Sequence, residues 1–412
     1  MFHVSRVLRS KHASVDALVV GAGPSGIAVV GHLLHHLPGG SGQLWADPTF
    51  SAGRVHRCYR EVPSNTKVEL FAQFATSTAP LRRIVEHAEA PNALTELGEL
   101  PQDQGCELSR AADMCLMLSD GLERHFGQQC RRHQGKVVAA SLDKSTNLWN
   151  VSLDNGTNTA TPRLVLCTGS SPKEQEISIT RGKTRLHLDT ALQPSKLAQT
   201  IAPGEMTTVA VIGASHSAVL VLMNLYQLAS TTHPNLRVKW FTRHKDLRYA
   251  KYMDGWILYD NTGLKGQAAQ WARQHLEEDA LALSPVSRVV SKIWTPAEEQ
   301  ETMYDAHMPG CSHVVEAIGY QRDPVPRLTT VDGPGAAPEP LSLEHDGLTG
   351  RFFSRNKATN PYVPGLFGAG IAFPERVTDP AGNVEHAVGF WKFVKFCQRV
   401  VPQWADSPVQ PR

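Results

Sequence analysis

Apolar residues in this chain come in bursts of four or five, each followed by a glycine-bearing turn and then by a stretch with helical spacing. Ala17–Val20 is the first burst. It runs into Gly21-Ala22-Gly23-Pro24-Ser25-Gly26, after which Ile27, Val29, Val30, Leu33 and Leu34 recur at helical intervals. An unbroken apolar run of this length predicts a strand buried on both faces, and the spacing beyond it predicts a buried helix. Gln43–Ala46 predicts the next strand, which ends at Asp47. The same pattern returns later: Thr208–Ile212 as a strand, a turn from Gly213 to Ala218, Val219–Leu228 as a helix, and Val238–Thr242 as a strand that ends at Arg243. Two further apolar runs, Arg163–Cys167 and Ser312–Glu316, end in glycine at Gly169 and Gly319.

Between these units the periodicity changes. Lys136–Ser141 and Trp149–Leu153 alternate as half-buried strands do, and Asp154-Asn155-Gly156 is a hairpin turn. Ser109–Phe126 predicts a helix, whereas residues 76–110 read as surface loops with one helix. Residues 332–340 form a Pro/Gly loop. The chain closes with Gly365-Leu366-Phe367-Gly368-Ala369-Gly370 and a helix for which Asn383 is the expected N-cap, with Lys392, Lys395 and Arg399 toward its C-terminal end. The predicted class is α/β: two Rossmann-type dinucleotide-binding domains, the second inserted into the first. The expected boundaries are 14–178 and 331–412 for the first domain and 179–330 for the second.

Strand, glycine turn and helix in that order have a chemical rationale. Gly21 permits the tight turn, Gly23 lets a pyrophosphate approach the backbone, and Gly26 lets the helix pack close to the strand. Pro24 and Ser25 then open a helix whose N-terminus offers unpaired N–H groups and a positive dipole end. Asp47 lies where an acid is needed to hold ribose hydroxyls, and Gly53 and Arg54 follow where the chain turns back across a nucleotide. In the second turn Ser215 and Ala218 replace two glycines. Both are small, and the Ser215 and Ser217 hydroxyls can donate to phosphate. Arg243 in place of an acid suits the 2′-phosphate of NADP. The alternatives are a solvated turn aspartate before Pro48 and a surface arginine.

Composition narrows the choice of partners. In 412 residues, 41% hydrophobic and 19% charged with a net charge of +2, nothing marks nucleic-acid or anionic-membrane binding. No apolar run approaches the ~20 residues of a membrane span. The N-terminal Arg6, Arg9 and Lys11 precede no apolar core, so a secretory signal is not expected. Seven cysteines without a CxxC pair or metal-ligand spacing point to a reducing, cytoplasmic setting.

The order GAGPSG, GASHSA, EAIGY and GLFGAG resembles the two-dinucleotide-domain flavoproteins, and within them the class B flavin monooxygenases: the flavin-containing monooxygenases and the ornithine/lysine N-hydroxylases. Tyr59-Arg60-Glu61-Val62-Pro63-Ser64-Asn65-Thr66-Lys67 is similar to the segment that runs beneath the flavin in that family. The resemblance therefore implies Asn65 at the active site, beside the oxygen-reactive carbon of the flavin. GASHSA resembles the serine-containing NADPH turn, and Glu316–Tyr320 resembles the family's ATGY segment with Ile318 in place of threonine. The family's Phe-x-Gly-x-x-x-His fingerprint is altered. Around Ile179–His187, Gly182 and His187 are present with one extra residue between them and no phenylalanine. This departure puts the Baeyer–Villiger and amine-oxidising branches in question, and His187 is either a degenerate fingerprint or a surface histidine. The disulfide-reductase branch needs a redox dithiol that the sequence lacks.

The resemblance implies FAD and NADPH as cofactors. Gly169, Gly319, Gly368 and Gly370 join the two phosphate turns as the backbone that lines them. It implies oxygenation of a small organic molecule by molecular oxygen through a flavin C4a-hydroperoxide. Two other readings stay open on the sequence: an NAD(P)H-dependent flavin reductase without oxygen insertion, and a non-catalytic nucleotide-binding protein. Oligomeric state is also open, because Phe390, Trp391 and Phe393 can pack internally or against a second subunit.

Overall fold

The computed structural model describes residues 13–175, 180–333, 336–355 and 362–406. The basic N-terminal residues Arg6, Arg9 and Lys11, the domain boundary at 178/179 and part of the 332–340 loop lie outside the described residues.

The first glycine turn belongs to a five-stranded, all-parallel sheet in the order Leu366–Gly368, Leu164–Leu166, Ala17–Val20, Gln43–Asp47, Cys130–Gln134. Alternate residues of these strands serve different layers. Ala17, Val19, Trp45, Val165 and Phe367 face a helical layer that includes Pro24–His36, Leu108–Phe126 and Phe390–Ala405. Leu18, Leu44, Ala46, Leu164, Leu166 and Leu366 face a six-stranded sheet built on the antiparallel run Val137–Asp143, Leu148–Leu153, Asn158–Thr161. Burial on both faces is why these strands read as plain apolar runs.

The second turn belongs to another five-stranded parallel sheet, in the order Thr184–Arg185, His313–Glu316, Thr208–Ile212, Arg237–Thr242, Val290–Trp294. Helix His216–Thr231 covers one face and Gln300–His307 the other. The chain leaves the first sheet through Ser170–Pro172 and returns through Tyr320–Arg322, and these two segments pair antiparallel. The architecture is the expected pair of Rossmann-type units, one inserted into the other.

Three expectations need correction. Residues 76–110 are not mainly surface loops: helices Ala79–His87 and Ala93–Gly98 bury Leu81, Ile84 and Leu97 in the first core. Their apolar residues are few, but each falls on the inward face. Strand Cys130–Gln134, absent from the sequence reading, is polar because it is an edge strand, with only Cys130 buried. Asn383 does not cap the final helix. It closes the loop of a hairpin, Glu375–Thr378 with Val384–Ala387, by bonding the Asp379 carboxylate. The helix starts at Phe390 with Gly389 as N-cap, which puts Lys392 in its first turn. Phe390 packs edge-on to Phe71 and Phe74 at 5.0 and 5.4 Å, so it is an internal contact.

Helix Pro24–His36 also buries His32, 2% exposed, with no hydrogen-bond partner for either ring nitrogen among the described residues. Burial first, then His36 and His35, hold its pKa down to about 4, against an ordinary 6.5. A folded-state pKa below the unfolded one means that stability is complete above pH 6.5 and drains away as pH falls toward 4. His32→Leu is expected to gain about 2 kcal/mol on the wild type between pH 7 and pH 5. Thermal melts at the two pH values check this, and an unchanged gap would refute it.

Candidate active site

Both glycine turns are built the same way. Gly21 takes a φ of 106° and Gly213 one of 135°, which side chains disfavour. A Cβ at either position would lie 2.3 Å from a carbonyl oxygen, that of Cys167 at Gly21 and that of Ala317 at Gly213. The Trp45 indole N–H donates to the Gly21 carbonyl at 2.9 Å, and the Trp240 indole to that of Gly213 at 2.7 Å. Each tryptophan pairs in register with the residue two before its glycine, Val19 or Val211. The sequence reading missed these braces, although a tryptophan at the same place in both units was a visible signal.

Around the first turn, Gly23 is the N-cap and Pro24 the first residue of a helix with no acid in its first turn. A Cβ on Gly26 would lie 1.9 Å from the Gly21 oxygen, and one on Gly370 2.5 Å from the Ser25 Cβ. The Ser25 hydroxyl bonds the Cys167 thiol. Gly368 ends the neighbouring strand, so the first turn, Cys167 and Gly368–Gly370 meet as one backbone-lined cradle. Asp47 stands at the strand end. One of its oxygens accepts the Ala22 N–H at 2.8 Å, and the other accepts those of Thr49 and Phe50, both at 2.8 Å. The carboxylate thus braces the turn, with lone pairs left over.

Arg54 does not stand alone over this cradle. Its guanidinium pairs with Asp189, donates to Tyr59 at 3.3 Å and reaches Ser171 at 3.4 Å. Nothing in the sequence signalled Asp189, which sits in the short helix Leu188–Ala191. His187 caps that helix by accepting the Asp189 N–H, and its side chain is half exposed. Gly169 presents its carbonyl to the Asp323 N–H, and Gly319 its carbonyl to Lys173.

At the second turn Ser215 is an exposed N-cap whose hydroxyl makes no cap bond, and Ser217 stands in the first turn of the helix it caps. Arg243 is exposed just past the strand end, and no ion pair is found for it among the described residues.

Asn65 is exposed in strand Pro63–Lys67. The Ser64 hydroxyl shapes the bend that presents it, accepting the Thr66 N–H at 2.8 Å and donating to the Thr66 carbonyl at 2.9 Å. Two glycines grip this backbone: a Cβ on Gly105 would lie 2.2 Å from the Ser64 oxygen, and one on Gly266 3.5 Å from the Asn65 Cα. Gly266 opens helix Gly266–His275, and the residue before it, Lys265, pairs with Asp260 at 2.5 Å. Asp260 also takes Lys392 of the final helix at 2.7 Å. The two lysines hold the Asp260 carboxyl below its usual range against the opposing effect of burial. Asn261 and Thr262 next to it bond the buried Glu385 carboxylate. The insert at 260–266 therefore fastens the second unit to the final hairpin and helix beside Asn65.

These features define a protein of two dinucleotide-type domains, and the comparisons agree. The chain is similar along nearly its whole length to solved flavin monooxygenases. One is a flavin-containing monooxygenase from Stenotrophomonas maltophilia, with a TM-score of 0.53 and 14% identity over 95% of this chain and 98% of the other. Another is DfoA bound to FAD, the desferrioxamine biosynthetic pathway cadaverine monooxygenase from Erwinia amylovora, with a TM-score of 0.60 and 12% identity over 96% and 95%. No family model matches the chain. It is 49% identical over 394 residues to monooxygenase AgnR1 from Paecilomyces divaricatus, covering 94% of this chain and 97% of that one. The chain belongs to the monooxygenase family of AgnR1 and has the fold of the flavin monooxygenases. The reductase-only and non-catalytic readings are not favoured. No helix among the described residues is long and apolar enough to cross a membrane.

Proposed function

We propose that the protein binds FAD at the first glycine turn and NADPH at the second, and oxygenates a small organic substrate with molecular oxygen beside Asn65. One observation carries the assignment of the two turns. The cradles are braced alike by Trp45 and Trp240, yet the strands that follow end in opposite charges, Asp47 and Arg243. The acid suits ribose hydroxyls and the arginine a 2′-phosphate. The close approaches at Gly21, Gly26 and Gly370 leave a backbone cradle that side chains would fill, which fits the pyrophosphate of FAD. Gly23, Pro24, Ser25, Gly169 and Gly368 complete that cradle; Gly213, Ser215, Ser217, Arg243 and Gly319 would line the NADPH site. The domain limits 14–178, 179–330 and 331–412 follow this division.

Reduced FAD supplies the activation of oxygen. The chain's own part is to orient and to exclude water. The Asn65 amide is the donor that would hold an oxygen-bearing group in place, and Phe71, Phe74 and Phe390 form a dry wall behind the segment that follows it. The substrate class is a small molecule with a nucleophilic nitrogen or sulfur or an activated carbon, met in a cytoplasmic setting and without nucleic acid or membrane.

Anaerobic mixing with NADPH followed by oxygenated buffer tests this. Rapid bleaching of the flavin, then a slow return of the oxidised spectrum, is expected. Immediate reoxidation would favour a reductase, and no bleaching would sink NADPH-driven flavin chemistry. Arg243→Ala is expected to raise the KM for NADPH roughly 10- to 100-fold, the worth of one charge-assisted contact, and to leave that for NADH unchanged. Equal effects on the two coenzymes would remove Arg243 from the 2′-phosphate site.

A further inference from the structure

One row of polar side chains crosses between the two units, and neither the fold nor the oxygenation chemistry accounts for it. At one end is Arg54, next to Gly53, whose backbone lies against Gly23: a Cβ on Gly53 would be 3.1 Å from the Gly23 Cα. At the other end is Tyr320, three residues past Ala317, whose carbonyl oxygen lies against the second turn: a Cβ on Gly213 would be 2.3 Å from it. Between them run Asp189 and Tyr59. Arg54 pairs with Asp189, Tyr59 lies 3.0 Å from the second Asp189 oxygen, and the Tyr59 and Tyr320 hydroxyls are 3.3 Å apart.

The order of protons along this row follows from its chemistry. Asp189 is 9% exposed, ion-paired and able only to accept, so it draws on the single Tyr59 proton. The Tyr59 hydroxyl accepts from the Arg54 guanidinium at 3.3 Å and is also the donor in its 3.3 Å contact with the Tyr320 oxygen, so Asp189 and Tyr320 share its one proton. Burial keeps both phenols protonated by pushing their pKa values up. Arg54 and Tyr59 come from the first unit; Asp189 and Tyr320 come from the second unit and its return strand. Val62, three residues past Tyr59, is buried in the second unit's core, so the contact is packed as well as polar.

We propose that Arg54, Tyr59, Asp189 and Tyr320 are positioning residues that couple the two phosphate turns, so that a nucleotide held at one turn tightens binding at the other. This rests on the assignment of FAD and NADPH made above. A nucleotide at the second turn orders the Ala317–Tyr320 segment packed on it and with it the row as far as Arg54, so FAD finds its side of the contact already ordered. By linkage the effect is reciprocal. The row also sets the two turns in a fixed relation, as hydride transfer between their nucleotides requires.

The test measures FAD dissociation from holoenzyme over a dilution series, by the fluorescence of released flavin, with and without saturating NADP+. In the wild type NADP+ is expected to lower the FAD Kd by roughly 5- to 50-fold. Tyr59→Phe and Tyr320→Phe each remove one hydroxyl without opening a cavity, and each is expected to bring that ratio near one. A wild-type ratio of one, or a ratio undiminished in both phenylalanine variants, would overturn the coupling. Calorimetric titration of the holoenzyme with NADP+ separates the causes. Binding without coupling refutes this proposal alone, whereas no binding refutes the NADPH assignment and the coupling with it.

Discussion

Asn65→Ala is expected to turn the enzyme into an NADPH oxidase. In the variant, NADPH consumption and hydrogen peroxide release without substrate rise on the order of 10- to 100-fold, the worth of one hydrogen bond to a charged group. Flavin reduction by NADPH stays intact, because the hydride path does not need this amide. The side chain is exposed and no partner is found for its amide among the described residues, so the donor is free for a ligand. Its backbone is fixed by Ser64 on one side and by the close approach of Gly105 and Gly266 on the other. A free donor on a fixed backbone is what an orienting role demands. Peroxide and NADPH assays run side by side give the result, and a variant with wild-type stoichiometry would take Asn65 away from the reacting centre.

Gly26→Ala is expected to strip the flavin and to lower stability by about 1–3 kcal/mol, the usual cost of overpacking. The added methyl would meet the Gly21 carbonyl at 1.9 Å, and both partners are backbone, so neither can swing aside. The flavin-to-protein absorbance ratio after gel filtration, with a melting curve, measures both effects. The second unit sharpens the comparison, because Ala218 stands at the corresponding place in its turn. That unit already accommodates a methyl group there, so the tight helix–strand approach is a feature of the first turn. Full flavin retention in the variant would show that the approach is not what holds the cofactor.

The parts of this architecture that repeat a local rule were legible in the sequence. Strands Ala17–Val20, Gln43–Asp47 and Thr208–Ile212 and both glycine turns lie where the apolar runs and glycines put them, because each is encoded within a few residues. What escaped depends on distant partners. Cys130–Gln134 is a strand only because Gln43–Asp47 offers it an edge. Helices Ala79–His87 and Ala93–Gly98 bury too few residues each to show a strong period. Asp189 has meaning only beside Arg54, which is 135 positions away in the chain. Asp260 has meaning only between Lys265 and Lys392. At the C-terminus, Asn383 had the chemistry of a helix cap, and the hairpin that claims it is set by pairing that no single stretch reveals.

The inserted arrangement also bears on how the chain comes together. Every strand of the second sheet comes from the stretch between Thr184 and Glu316. The first sheet needs Leu366–Gly368 beside Leu164–Leu166, a pairing that spans nearly half the chain. Long-range pairings of this kind close late, since the loop entropy must be met before the contact forms. As the chain emerges from its N-terminus, the inserted unit has all its strands in hand while the first sheet still lacks an edge and the final helix that covers it. The half of the molecule that is made first is completed last.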